Sequence, residues 1–213
     1  MRFDLVIFDC DGVLVDSEPV ANRVFARALE EIGLRMRFEE VCDLFVGLSM
    51  SRCVEIVEQR LGRPVPEAFV RRLQERTFDQ FRAGLEAIPG VQDALDRIDA
   101  PVCIASSGER EKMKLTLGLT GLLPRFEGRM FSATEVARGK PDPDLFLLAA
   151  AELGAAAERC AVVEDSVPGV QAARAARMAA FGYAGRGDGA RLDAAGATVF
   201  RSMTELPLLL GDG

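Results

Sequence analysis

The chain has 213 residues, which is long for one domain and short for two full ones. Its hydrophobic fraction of 49% can bury a sizeable core, which excludes a largely disordered protein. The net charge of −7 disfavours general nucleic-acid binding, because that activity needs a basic surface. The sequence contains no histidine, which excludes Ser-His-Asp hydrolases, Cys-His proteases and His-ligated zinc sites. Any chemistry must therefore depend on carboxylates, hydroxyls, lysine or thiols.

The five cysteines are odd in number, widely spaced and without any Cys-x-x-Cys pair. This pattern predicts reduced thiols in a cytoplasmic protein. Met1 and Arg2 lead directly into a strand-like run rather than a signal peptide, and no apolar stretch approaches ~18 residues. We therefore expect a soluble, cytoplasmic monomer that binds a small molecule and contacts neither membrane nor nucleic acid.

The first predicted element is a short buried strand over residues 5–8, which ends in the acidic turn Asp9-Cys10-Asp11-Gly12. From Ser17 to Leu85 the pattern becomes helical, with an apolar stripe that recurs every four residues in the first helix. Further helices are predicted in this stretch at 39–45, 50–61 and 66–82.

The remainder of the chain alternates helices with short apolar runs. Strands are predicted at 101–105, 129–132, 160–163, 178–182 and 197–200, and helices at 91–98, 109–118, 142–153, 167–176 and 203–210. Such alternation predicts a parallel sheet covered by helices on both faces. We therefore expect an α/β protein with a Rossmann-like core, residues 1–16 and 86–213, and a helical domain, residues 17–85, inserted after the first strand.

Several polar residues follow the predicted strands closely. Because ligands of open parallel sheets bind at the carboxyl ends of the strands, these residues are candidates for one common site. They are Asp9 and Asp11 after the first strand, Ser106 and Ser107 after the second, Lys140 after the third, and Glu164 and Asp165 after the fourth.

The spacing of Asp9 and Asp11 predicts that both side chains point to the same side of an extended segment. One carboxylate can act as a nucleophile toward phosphorus, and the other can protonate the leaving oxygen and then deprotonate a water. The alternative is an acidic turn that merely ends the strand. With Asp165 added, the carboxylates need a cation, since unit charges ~4 Å apart repel by about 4 kcal/mol at an effective dielectric of about 20. Mg²⁺ fits such a site, unless the Glu164-Asp165-Ser166 segment only caps a helix.

Lys140 is one of only three lysines in the chain and lies in a Gly-Lys-Pro-Asp-Pro segment, where two prolines fix the backbone. Its ammonium can neutralise a phosphoryl group and an attacking carboxylate, although a lone loop lysine is usually solvated. The Ser106 hydroxyl can donate to a phosphoryl oxygen, or Ser106-Ser107-Gly108 can be an ordinary capped turn.

In combination, the order and placement of these segments resemble four motifs of the haloacid dehalogenase-like hydrolase superfamily. The resemblance covers nearly the whole chain, and residues 17–85 resemble the helical cap of its β-phosphoglucomutase-like and phosphatase branch. The segments that carry it are Phe8-Asp9-Cys10-Asp11-Gly12-Val13-Leu14-Val15-Asp16-Ser17, Ile104-Ala105-Ser106-Ser107-Gly108, Gly139-Lys140-Pro141-Asp142-Pro143 and Val163-Glu164-Asp165-Ser166.

The resemblance implies a role for each residue at a motif position. Asp9 would be the nucleophile that forms an aspartyl-phosphate, and Asp11 would be the general acid/base. The phosphoryl group would be bound by Ser106, Ser107 and Lys140. Positioning and charge neutralisation of this kind are what phosphoryl transfer mainly requires of a protein.

The resemblance also implies a Mg²⁺ site. The metal would be held by the Asp9 carboxylate, the Asp11 main-chain carbonyl and Asp165, with Glu164 in or next to this ligand set. The expected cofactor is therefore Mg²⁺.

Departures from the family's patterns separate its reactions. Dehalogenases of this type lack the second aspartate and the metal, and phosphonoacetaldehyde hydrolases need a cap lysine that residues 17–85 do not contain. The main alternative is a sugar-phosphate mutase similar to β-phosphoglucomutase, whose cap carries a histidine and a lysine that are absent here. A non-catalytic sugar-phosphate binder would normally have lost Asp9 or Asp11. We therefore expect a Mg²⁺-dependent phosphatase of a small phosphorylated metabolite.

Substrate choice would lie in the cap, where Gly47-Leu48-Ser49-Met50-Ser51-Arg52 resembles the substrate-specificity loop of this branch. Arginines and acids balance in residues 17–85, so the net negative charge falls on the core, and an anionic substrate needs a further cation. Arg52 can clamp a carboxylate or a second phosphate, or it can lie on a solvated helix face. The chain is also similar to bacterial 6-phosphogluconate phosphatases, and a sugar-acid phosphate would suit Arg52.

Overall fold

The computed structural model describes residues 3–45, 50–185 and 187–211. The chain divides into two compact units, the larger formed by Met1–Asp16 and Glu86–Gly213 and the smaller by Ser17–Leu85. Within the described residues, no helix is both long and apolar enough to cross a membrane.

The smaller unit is built from helices around an apolar core. Its helices are α1 (Glu18–Glu31), α2 (Phe38–Phe45), α3 (Met50–Leu61) and α4 (Phe69–Gly84). Phe25 of α1 packs edge-on against Phe45 of α2, with 5.0 Å between the ring centroids. The apolar stripe predicted for the first helix is thus its buried face, where Val24 and Ala28 accompany Phe25.

The larger unit contains a six-stranded parallel sheet in the order β3-β2-β1-β4-β5-β6. Its strands are β1 (Leu5–Phe8), β2 (Val102–Ser106), β3 (Met130–Ser132), β4 (Cys160–Glu164), β5 (Ala179–Tyr183) and β6 (Thr198–Phe200). This is the Rossmann order, and the predicted fold class is confirmed. The strand order reverses at β1, so the crevice for a ligand opens at the carboxyl ends of β1 and its two neighbours.

Helices cover both faces of this sheet. They are α5 (Val91–Asp96), α6 (Arg110–Leu119), α7 (Leu123–Phe126), α8 (Asp144–Glu152), α9 (Val167–Ala175), α10 (Gly189–Ala194) and α11 (Leu206–Leu210). On one face Ile7 and Val162 join the core formed with α8 and α9. On the other face the ring of Phe8 packs against Phe126 of α7 at 6.3 Å. Because the central strands are buried on both sides, they appear in the sequence as unbroken apolar runs.

Two helices of the larger unit were not predicted from the sequence. Helix α7 has only four residues, and α10 lies in a segment rich in glycine and alanine that shows no apolar period. A capping signal does precede α10, because the Asp188 side chain accepts a hydrogen bond from the Ala190 N–H at 3.0 Å.

Candidate active site

The first predicted carboxylates lie at the carboxyl end of β1, where the strand order reverses. The Asp9 N–H donates to the Val163 carbonyl of β4 at 2.9 Å, which fixes Asp9 against the neighbouring strand. A tight turn follows, closed by the Gly12 N–H and the Val15 carbonyl at 2.9 Å. Gly12 has a φ of +78°, a conformation that glycine adopts without steric cost. The strand and the turn together position Asp9 and Asp11.

Lys140 is the centre of a buried charge cluster. Its Nζ donates to Asp9 Oδ1 at 2.6 Å, to Glu164 Oε1 at 2.5 Å and to the Ala105 carbonyl at 3.0 Å. An ammonium has three N–H donors, so these three acceptors satisfy it completely. Only 5% of the Lys140 side chain is exposed, and its Nζ also lies 5.0 Å from the centroid of the Phe146 ring. The loop lysine is therefore a fixed point charge beside Asp9.

Glu164 is the second carboxylate that holds Lys140. Its Oε1 accepts from Lys140, while its Oε2 accepts from the Ser166 N–H at 3.1 Å and the Ser166 hydroxyl at 2.8 Å. The Ser166 hydroxyl also accepts from the Gly169 N–H at 3.1 Å and so caps α9. A Cβ on Gly169 would overlap the Glu164 carboxyl group. Both oxygens of Glu164 are thus engaged by groups of the protein.

The titration of the site reflects burial and charge. Burial raises the pKa of Asp9 to about 7, the Lys140 ammonium opposes this rise, and the charges of Glu164 and Asp11 add to it. For Lys140, burial favours the neutral amine, but the Asp9 and Glu164 carboxylates raise the pKa above its usual value. Lys140 therefore stays charged, and the surrounding carboxylates still carry unfavourable like-charge repulsion.

Asp11 has a cationic partner that the sequence analysis missed. Lys112, in the first turn of α6, donates from Nζ to Asp11 Oδ2 at 2.8 Å. Burial lowers the pKa of Lys112, but the Asp11 carboxylate outweighs this and holds it above its usual value. The available signal was the rarity of lysine together with its position six residues after Ser106. The site thus contains two of the chain's three lysines.

The remaining predicted core residues also lie at this edge. Ser106 ends β2 and is buried, and its Oγ accepts from the Gly108 N–H at 3.1 Å, whereas the neighbouring Ser107 is exposed. Asp165 follows β4, and a Cβ on Gly12 would overlap its carboxylate. The structure therefore brings the ends of β1, β2 and β4 together with the Lys140 loop.

The oxygen donors near the end of β1 are of the kind that bind a hard cation, and they suit a cation that needs only one or two carboxylate ligands. The oxygen donors that could hold a cation here are the Asp9 and Asp165 carboxylates and the Asp11 main-chain carbonyl. Asp9 also accepts from Lys140, and both oxygens of Glu164 are engaged by Lys140 and Ser166. The described part of the chain has no group of three or more acidic or thiol side chains arranged to hold a metal by themselves. Mg²⁺ commonly uses one or two carboxylates and completes its shell with water and phosphate oxygens.

Cys10 lies between the two aspartates but faces the core. It is buried, and its Sγ is 3.9 Å from Thr116 Oγ1. Burial, followed by the charges of Asp11 and Asp9, raises the pKa of the Cys10 thiol well above its usual value. The thiol therefore stays protonated and unreactive.

Arg52 belongs to the smaller unit and is not buried. It lies at the start of α3, and its Nη1 donates to Glu55 at 2.6 Å across the helix surface. Residues 47–49 of the predicted specificity loop lie outside the described residues. The substrate role of Arg52 stays a prediction.

Comparison with known proteins finds relatives that share most of the length of the chain. The sequence pattern of the haloacid dehalogenase-like hydrolase family matches residues 3–177. The 6-phosphogluconate phosphatase of Escherichia coli is 34% identical over 212 residues, which cover 98% of this chain and 95% of that protein. A conserved haloacid dehalogenase-like protein from Agrobacterium tumefaciens has a TM-score of 0.87 at 36% identity, with 98% of both chains covered. A hydrolase of the same family from Deinococcus radiodurans, with bound phosphate and sodium, has a TM-score of 0.84 at 33% identity, covering 100% of this chain and 97% of that one.

Proposed function

Because the chain belongs to the haloacid dehalogenase-like hydrolase family, we propose that this phosphoric monoester hydrolase cleaves a small phosphorylated metabolite with Mg²⁺ as cofactor. The proposed substrate is a sugar phosphate or a sugar-acid phosphate such as 6-phosphogluconate, and the proposed intermediate is an aspartyl-phosphate on Asp9. The observation that carries the proposal is the buried Asp9 carboxylate, which has the Lys140 ammonium at 2.6 Å and a second aspartate two residues further on.

Each site residue has a defined task in this reaction. An oxygen of Asp9 attacks phosphorus, and the bond from phosphorus to the substrate's ester oxygen breaks as Asp11 gives that oxygen a proton. Asp11, now a carboxylate, then takes a proton from a water that attacks the phosphorus of the aspartyl-phosphate. This second step releases inorganic phosphate and regenerates both carboxyl groups. Lys140 and the Ser106 hydroxyl bind the phosphoryl oxygens during both steps.

The proposed Mg²⁺ site consists of the Asp9 and Asp165 carboxylates and the Asp11 carbonyl. Bound Mg²⁺ would neutralise negative charge on the phosphoryl group and the carboxylates around it. Support comes from the oxygen-only donor set and from the pKa of Asp9, which burial raises and to which the like charges of Glu164 and Asp11 add. The engaged oxygens of Glu164 favour a place for this residue next to the ligand set, where it holds Lys140.

Water is the proposed acceptor of the phosphoryl group. A mutase that resembles β-phosphoglucomutase would use a cap histidine and a cap lysine, and residues 17–85 contain neither. A non-catalytic binder is disfavoured because Asp9 and Asp11 are both present and both have cationic partners. All five cysteines are thiols rather than disulfides, which supports a cytoplasmic location.

The test is phosphate release from a panel of sugar phosphates and sugar-acid phosphates, 6-phosphogluconate included, with and without Mg²⁺. Asp9→Asn should abolish turnover, because an amide cannot attack phosphorus, and excess EDTA should abolish the wild-type activity until Mg²⁺ is restored. Asp4→Asn is the matched control, since Asp4 precedes β1 and forms an exposed ion pair with Arg159. Full turnover by Asp9→Asn, or undiminished activity in excess chelator, would overturn the mechanism.

A further inference from the structure

Lys112 is a cation of the active site to which the proposed reaction gives no task. Its Nζ lies 2.8 Å from Asp11 Oδ2, and the two side chains are 30% and 24% exposed. The pair is thus partly sheltered from water, so the contact is screened less than an ion pair on the open surface. The partners are 101 residues apart in the chain, so the fold itself has to bring them together.

The segment that carries Lys112 is anchored by contacts of its own. Arg110, two residues earlier on α6, forms a two-point ion pair with Glu135 at 2.7 and 2.8 Å. The Ser132 hydroxyl donates to the Gly108 carbonyl at 2.8 Å, and the Gly108 N–H donates to Ser106 Oγ at 3.1 Å. These contacts fix the start of α6 against the end of β2 and the turn after β3, so Lys112 extends from a rigid base.

Gly108 lies beside Ser106, Asp11 and Lys112. A Cβ at this position would lie 3.5 Å from Ser106 Oγ, 3.6 Å from Asp11 Oδ2 and 3.7 Å from Lys112 Cδ. The proposed phosphate-binding hydroxyl, the proposed acid/base carboxylate and the lysine therefore border the same space. A substitution of Lys112 therefore removes a direct contact of Asp11, the proposed proton-transferring group.

We propose that Lys112 is a positioning residue, which holds the Asp11 carboxylate in the orientation in which it takes a proton from the attacking water. This inference rests on the proposed function of Asp11. A carboxylate in a turn can rotate, and a fixed ammonium on one of its oxygens removes that freedom before the substrate arrives. Lys112 acts through Asp11 rather than on the phosphoryl group, which Lys140 and Ser106 bind.

The first test compares Lys112→Met with Lys114→Met in the Mg²⁺-dependent phosphatase assay. Lys114 is exposed on the same helix, so its replacement is a matched loss of one lysine. Lys112→Met should lower kcat by about 10- to 100-fold, because a misplaced reacting group costs that much, and should leave KM within about twofold. Lys114→Met should match the wild type. Lys112→Arg should recover part of kcat, since arginine can also donate to the Asp11 carboxylate.

The second test asks whether the effect passes through Asp11. In a double-mutant cycle, adding Lys112→Met to Asp11→Asn should cause no further loss in single-turnover rate, because the group that Lys112 positions is already gone. An equal loss in both backgrounds would overturn the inference. Binding of inorganic phosphate should be unchanged in Lys112→Met, and a loss of more than about fivefold would instead make Lys112 a phosphate ligand.

The outcomes separate this inference from the proposed function. If the wild type fails to release phosphate from any substrate of the panel, the proposed function fails and the inference fails with it. If the wild type is active and Lys112→Met matches Lys114→Met, only the inference fails. Circular dichroism of each variant confirms that it is folded, and Lys112→Arg provides the same comparison if the methionine variant unfolds.

Discussion

At the scale of single residues, the site depends on how a few cations are distributed among the carboxylates. Lys140 contacts Asp9 and Glu164 at once, and Lys112 contacts Asp11. A buried carboxylate that loses such a partner is left as an uncompensated charge, which is far more costly than the loss of a surface pair. Lys140 therefore offsets part of the burial that raises the pKa of Asp9.

The Cys10 thiol should have no part in the chemistry although it lies between Asp9 and Asp11. Its burial and the raised pKa keep it protonated, so Cys10→Ala should retain most of the phosphatase activity. The measurement is kcat/KM of the variant, followed by treatment of both proteins with mild peroxide. Rapid inactivation of the wild type that Cys10→Ala prevents would contradict this prediction and show that the thiol is reactive.

The sequence predicted the carboxylates of the site but missed one of its two lysines, Lys112. Asp9 and Asp11 are recognisable because they are two residues apart at the end of a strand, which is a local feature. The contact of Lys112 with Asp11 spans 101 residues and depends on the packing of α6 beside β1 and β2. No local pattern encodes such a distance, and only the rarity of lysine indicated Lys112.

At the scale of elements, the sequence predicted every strand of the sheet to within two residues at either end. The reason is physical, because parallel strands buried on both faces are short apolar runs bounded by turns. Helices α1 to α6, α8, α9 and α11 were likewise predicted, and the longer ones show an apolar stripe. The predicted helix at 66–82 begins instead at Phe69, because a turn precedes it in which the Phe69 N–H donates to the Pro66 carbonyl at 2.8 Å.

Helix α9 supports the charge cluster through a glycine, and this can be tested. A Cβ on Gly169 would overlap the Glu164 carboxyl, so Gly169→Ala must move either the helix or the group that holds Lys140. We expect a destabilisation of about 1–3 kcal/mol, as is typical of overpacked sites, together with a fall in kcat. The measurements are the free energy of unfolding in urea and the phosphatase rate.

Gly118→Ala is the matched control for this prediction. Gly118 is exposed on α6, and a Cβ there would only approach Leu123 at 4.0 Å. An alanine in an exposed helix should stabilise the protein by about 0.5–1 kcal/mol and leave the rate unchanged. Similar effects of the two substitutions would contradict the prediction, because they would show that an alanine side chain fits between position 169 and the Glu164 carboxyl group.

At the scale of the whole molecule, the two units differ in charge. The smaller unit is neutral and rich in arginine, while the net charge of −7 belongs to the larger unit, which contains the candidate site. The sequence analysis expected a single core cation, Lys140, near the phosphoryl group. The structure adds Lys112, which is engaged by Asp11, so a second anionic group on the substrate still requires a cation from elsewhere.

Arg52 is the predicted source of that cation. If it binds a carboxylate or second phosphate of the substrate, Arg52→Ala should lower kcat/KM for the best anionic substrate by about 1.5–3 kcal/mol, the value of a lost charge-assisted hydrogen bond. Hydrolysis of p-nitrophenyl phosphate should change much less, because that compound has no second anion. The measurement is kcat/KM on both substrates for the wild type and the variant.

Arg60→Ala is the control for this last prediction, since Arg60 is an exposed arginine near the other end of the same helix α3. In the structure Arg52 donates to Glu55, an exposed pair that contributes little to stability, so the substrate can displace Glu55 at small cost. If only Arg52→Ala lowers kcat/KM, and only for the substrate with a second anionic group, Arg52 is assigned to substrate binding. Equal losses on both substrates would indicate a general defect in the smaller unit, and no loss on either would leave Arg52 as a solvated side chain of the helix surface.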